Sequence, residues 1–179
     1  MAPLDIIRKY YDKGTELYHI LYTHSRQVAD KALEIAEAHP EMNLDRNFVE
    51  EAAMLHDIGI FCTYTPKIGC YGTYDYICHG YLGAELMKKE GLPFHALVCE
   101  RHTGSGITRQ SIIDNNLPLP TRDMLPLSLE EKLICFTDKF YSKSNFDKEK
   151  SVDQIRKSLA KYGDDSVTRF DELLKLFLG

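Results

Sequence analysis

The chain has 179 residues, of which 44% are apolar and 27% charged, with a formal net charge of -5. That length suits one domain with a sizeable core, and the acidic balance speaks against a surface for polymeric nucleic acid or for a membrane. No apolar stretch approaches the ~20 residues that cross a bilayer. The first residues carry charges where a secretory leader would be apolar. The five cysteines form no CxxC pair, so a reduced, cytoplasmic setting is expected.

Helical periodicity runs along the whole chain and predicts an all-α, single-domain bundle over 1–179. Pro3 to Tyr11 reads as a short leading helix broken by Gly14. Thr15 caps a long helix to about Ala38, with a stripe of Leu17, Leu21, His24, Val28, Ala32 and Ile35 at spacings of three or four. His39-Pro40 ends it. Asp45 caps the next helix, whose inward face is Val49, Ala52, Ala53 and His56. Helices over His79–Glu90, closed by Gly91, over Phe94–His102 and over Thr108–Asn115 follow. Ser128 caps a helix to about Tyr141, with Glu131 in the capping-box position. Amphipathic helices over 151–161 and 165–178 finish the chain. No segment reads as a strand. Two long loops, 60–78 and 103–127, are functional candidates by their length.

Four histidines sit where apolar side chains are expected. His24 lies on the long stripe, His56 continues Val49, Ala52 and Ala53, His79 leads Leu82, Gly83 and Leu86, and His102 completes His95, Val98 and Cys99. Asp57 follows His56, and Asp138 reads as mid-helix in LICFTDKFYSK. Any one of these alone is ordinary: a core histidine with a hydrogen bond, or a solvated aspartate. Burying all of them without partners costs several kcal/mol, which one shared cation removes. Imidazole and carboxylate suit Fe, Mn, Zn, Ni or Co, and the absence of cysteine argues against a structural thiolate zinc site.

His24 in THSRQVADKAL, His56-Asp57 in MLHDIGI and Asp138 in CFTDKF stand in the order H…HD…D, which resembles the HD superfamily of metal-dependent phosphohydrolases over roughly residues 15–143. The segments CHGYLGAELM and ERHTGSGIT resemble the extra-histidine segments of its two-metal members. The resemblance implies a first divalent metal on His24, His56, Asp57 and Asp138. A second would take His79, His102 and a bridging oxygen of Asp57. His56 and Asp57 would be the catalytic pair, around a metal-activated water that attacks phosphorus. One departure stands out: several two-metal relatives place a phosphate-contacting lysine directly after HDIG or HDIA, where this chain has Ile60.

The expected substrate is a nucleotide or a related small phosphate ester. Lys139, beside Asp138, Arg26, near His24, and Thr103 are candidate phosphate contacts. The amides around Thr103, Gly104 and Gly106 form a possible anion cradle. His95 is a candidate general acid. Tyr64, Tyr71, Tyr74 and Tyr76 are candidate base-stacking residues, with pinning of the loop as the bland alternative. The same ligand set also serves mixed-valence diiron oxygenases, and a non-catalytic nucleotide-binding module is a third reading. The C-terminal amphipathic helices leave a homo-oligomer open.

Overall fold

The computed structural model describes residues 2–179. Helix α1 (Pro3–Tyr10) starts on a proline whose fixed φ suits a first turn, and it buries Ile6 and Ile7. Helix α2 (Glu16–Ala38) is capped by Thr15, whose side chain accepts from the amide of Tyr18 at 3.2 Å. Its buried face contains Leu21, His24, Val28, Ala32 and Ile35. Helix α3 (Arg46–Leu55) is capped by Asp45, which accepts from the Phe48 amide at 3.0 Å.

Helices α4 (His79–Lys89) and α5 (Pro93–Arg101) pack as a pair, as do α2 and α3. The short helix α6 (Arg109–Asp114) follows, then α7 (Leu129–Asp138), α8 (Val152–Ala160) and α9 (Asp164–Leu178). Helix α7 is the hub, touching α2, α3, α5 and α9. Its Ile134 joins a core with Leu21, Val28, Ala53, Leu55 and Val98. Its Leu133 and Phe136 face a second core with Phe170 and Phe177, and the Phe136 ring lies 5.6 Å from each of those two. Burying phenylalanines of this kind contributes ~2 kcal/mol each, so α8 and α9 are held to the body by apolar area.

The helical reading holds, with three differences in detail. Residues 60–78 carry no long strand but do form a two-residue antiparallel ladder, β1 (Tyr64–Thr65) with β2 (Cys70–Tyr71), among short 3₁₀ turns. A ladder this short leaves no alternation to read. Helix α7 ends at Asp138, not near Tyr141. The next amides, of Lys139, Phe140 and Tyr141, bond three residues back, which tightens the chain into 3₁₀-type turns. Ser128 caps α7, but Glu131 does not close the box. Its carboxylate accepts from the Leu127 amide at 3.0 Å and from Arg101 at 2.9 Å. The reciprocal box is at Ser151 and Gln154, on α8.

Candidate metal centre

Six side chains from five places in the chain meet at one point. His24 comes from α2, His56 and Asp57 from the turn after α3, His79 from the start of α4, His102 from the end of α5 and Asp138 from the end of α7. Adjacent residues of a continuous helix diverge by ~100°. Helix α3 stops at Leu55, and tight turns closed by Ile58 to Leu55 and Ile60 to Asp57 let His56 and Asp57 face the same place. Gly59 makes this turn possible against α4. A Cβ there would lie 2.3 Å from the His79 carbonyl oxygen and 2.5 Å from the Gly83 nitrogen.

The donors fall into two groups that share Asp57: His24, His56, Asp57 and Asp138, and Asp57, His79 and His102. His24 Nε2 lies 2.8 Å from Asp138 Oδ1 and 3.2 Å from Asp57 Oδ2. His56 Nε2 lies 3.1 Å from Asp57 Oδ2 and 3.2 Å from Asp138 Oδ1. On the other side, His79 Nε2 and His102 Nε2 each lie 3.2 Å from Asp57 Oδ1.

Three imidazoles are fixed by a bond to the carbonyl three residues earlier. Nδ1 of His56 donates to Ala53 at 2.6 Å, that of His79 to Tyr76 at 2.6 Å and that of His102 to Cys99 at 2.7 Å. A carbonyl only accepts, so Nδ1 carries the proton and a neutral ring turns the Nε2 lone pair inward. His79 Nε2 and His102 Nε2 are then 3.0 Å apart. Lone pairs facing lone pairs and carboxylates, out of contact with water, are unfavourable unless a cation or a shared proton lies between them. This orientation by the far ring nitrogen is that of metal-binding histidines, and the donor set fits a divalent metal ion.

The electrostatics agree. Burial alone lowers the pKa of His56, but the charge of Asp57 and the bond to Asp138 outweigh it and raise it to about 10. Burial takes His102 down to about 4, only partly offset by its bond to Asp57. Burial pushes the Asp57 carboxyl up, yet His56 and Lys143 hold it well below its usual range. For Asp138, burial is likewise outweighed by Lys139 and by the bonds from His24 and His56. Positive charge on His56, Lys143 and Lys139 thus offsets the two buried carboxylates.

A cavity of about 620 Å³ opens on this cluster and is lined by His79, His102 and Asp138. Of the other candidates, Thr103, Gly104, Gly106 and Lys139 line it, as do Tyr64 and Tyr76. Lys139 also pairs with Asp138 Oδ2. Tyr76 stacks on the His79 ring at 4.5 Å. The Gly106 amide donates to the Thr103 carbonyl at 3.0 Å, so it closes a plain turn and is not free for an anion.

Four candidates lie elsewhere. Arg26 points away and pairs with Asp30 at 2.8 Å and Glu50 at 2.7 Å, since two helical steps from inward-facing His24 turn it by ~200°. His95 packs edge-on against Phe48 and meets Glu51 at 3.2 Å, away from the cavity lining. Tyr71 and Tyr74 are exposed and do not line the cavity.

Sequence reasoning missed Lys143, Lys150 and Arg169, all in the cavity wall. The Lys143 ammonium lies 2.6 Å from Asp57 Oδ2. Burial would lower its pKa, but Asp57 outweighs that and holds it charged. Ile60, by contrast, is fully buried in the apolar core. Arg169 on α9 donates to the carbonyls of Ser105 at 3.2 Å and Gly106 at 3.1 Å, tying the C-terminal helix to the loop after His102. Lysines in an irregular segment carry no periodic signal.

An uncharacterized protein of Methanocaldococcus jannaschii is 35% identical over 118 residues, covering 64% of this chain and 62% of that protein. A tRNA (cytidine(56)-2'-O)-methyltransferase of Picrophilus torridus is 33% identical over 124 residues, covering 69% of this chain and 32% of that protein. One of the same name from Thermoplasma volcanium is 29% identical over 174 residues, covering 96% of this chain and 44% of that protein. The chain therefore spans less than two thirds of the length of each of these relatives. No solved structure matches. The model of the HD domain matches residues 21–142, which carry all six clustered side chains, and the chain belongs to the HD domain family.

Proposed function

We propose that the chain is a metal-dependent phosphohydrolase acting on a nucleotide or a related small phosphate ester. One observation carries this reading: two donor groups joined through Asp57 lie at a cavity whose other charged lining is almost wholly cationic. Divalent cations bound there supply Lewis acidity to a phosphoryl group and make a water molecule acidic enough to act near neutral pH.

The chain's own residues supply the remainder. His56, His79 and His102 hold their donors inward through their Nδ1 bonds, and Asp57 serves both groups with separate oxygens. Lys139 and Lys143 place fixed positive charge where phosphoryl oxygens gain negative charge, an arrangement that favours the transition state over the ground state. Lys143 takes over the phosphate contact that the position of Ile60 lacks, reaching Asp57 from the segment after α7. Tyr64 and Tyr76 offer flat walls to a base or sugar. The methyltransferase name belongs to relatives more than twice as long as the matched region, and it does not decide the chemistry of this chain.

The test is phosphate release from a panel of nucleoside mono-, di- and triphosphates and simple phosphate esters, with Mn²⁺, Co²⁺, Ni²⁺ or Fe²⁺ added in turn. Metal-dependent release is expected, and His56→Ala and Asp57→Ala should each lower it at least ~10³-fold. Release from no member of the panel contradicts the reading.

A further inference from the structure

Lys139, Lys143 and Lys150 line one cavity in which, among the described residues, Asp138 is the only acidic side chain. Lys139 pairs with Asp138 and Lys143 with Asp57. Among the described residues no carboxylate lies within ion-pair reach of Lys150. Burial lowers its pKa, and the like charges of Lys139 and Lys143 add to the effect against the pull of Asp138.

The segment that carries these lysines is built, not loose. Gln27 donates to the Phe146 carbonyl at 2.9 Å, Phe146 packs on the main core, Lys31 pairs with Glu149, and the Lys150 amide donates to the Phe140 carbonyl at 2.8 Å. Lys143 and Lys150 also lie just beyond residue 142, where the family match ends. If Asp57 and Asp138 bind a divalent cation, Lys139 and Lys143 lose their ion-pair partners, and Lys150 has none within reach. Even one such cation then leaves three positive charges unmatched in a partly desolvated wall. A phosphate monoester brings only about two negative charges, and unmatched charge away from water is costly.

We propose that Lys150, next to the phosphate contact at Lys143, forms a second anion subsite beside the metal groups. The substrate would then carry two linked anionic groups, as a nucleoside diphosphate or triphosphate does, and would not be a simple monoester. This rests on the phosphohydrolase reading above and narrows its substrate class.

Calorimetric titration of the metal-loaded protein with inorganic phosphate and with pyrophosphate, at a fixed excess of Mn²⁺, tests it. Chelation in solution is then common to every variant compared. The wild type should bind pyrophosphate at least ten times more tightly than phosphate. Lys150→Met should cut that preference at least fivefold, and Lys150→Arg should retain it. A wild-type preference near one, or the same preference in Lys150→Met, overturns the second subsite while phosphate binding leaves the phosphohydrolase reading standing. If neither anion binds, both fall.

Discussion

The Lys143 ammonium lies 2.6 Å from Oδ2 of Asp57, the carboxylate common to both donor groups. The contact joins a segment beyond the family match to the centre of the site. It gives Lys143 two roles that can be separated. In metal-free protein it neutralises a buried carboxylate, and on the proposed function its charge would turn to substrate once a metal is bound. Lys143→Met should therefore destabilise the chelated protein by ~3 kcal/mol, the usual consequence of removing one partner of a buried pair. The metal-loaded form should lose much less. In turnover, kcat should fall ~10²-fold with metal content intact. Denaturant melts with and without chelator, together with steady-state kinetics, check both halves; an unchanged kcat removes the proposed phosphate contact.

Gly59 stands where the HDIG turn meets α4. Gly59→Ala would press a methyl group into the His79 carbonyl and the Gly83 backbone, neither of which has a flexible side chain to move aside. Overpacking of this kind costs ~3 kcal/mol, and here it also shifts His79. Thermal denaturation should show the loss, and elemental analysis should show less bound metal. Gly83→Ala, whose nearest contacts are at 3.3 Å, should be milder in both measurements.

Arg169 clasps the loop that follows His102. Removing its side chain leaves the Ser105 and Gly106 carbonyls without that donor, so Arg169→Ala should cost ~1–2 kcal/mol. Because Thr103, Gly104 and Gly106 line the cavity, KM should rise more than kcat falls. A melt unchanged from wild type would show that α9 does not hold this loop.

His95 gives a pH dependence that is independent of the metal groups. Burial lowers its pKa, against the opposing pull of Glu51. The unfolded chain therefore binds a proton more readily than the fold does, and stability falls as pH drops through ~6.5. Chemical denaturation at pH 7.5 and pH 5.5 should show a smaller loss for His95→Asn than for the wild type. Equal losses would remove His95 from the acid response.

Much of the helical frame was legible because apolar spacing and caps agree, as at Thr15 and Asp45. The inward histidines were legible as misfits on apolar faces, and their order carried the family. Arg26 could be placed only by following the helix turn by turn, which sets it opposite His24. Asp138 read as mid-helix because nothing in CFTDKFYSK marks the tightening after it. Lys143, Lys150 and Arg169 left no signal: their positions depend on where a loop and a C-terminal helix come to rest, and that is set by contacts such as Phe146 on the main core and Phe136 on Phe170.

The metal-to-protein ratio tests the central claim most directly, because Asp57 is the one donor common to both groups. Protein purified in the presence of the metal that best supports turnover should carry two ions per chain. The double variant His79→Ala/His102→Ala should retain one, and Asp57→Ala should retain neither. A wild-type ratio of one, unaltered in the double variant, would contradict the shared two-metal site and leave His79 and His102 as residues that face substrate.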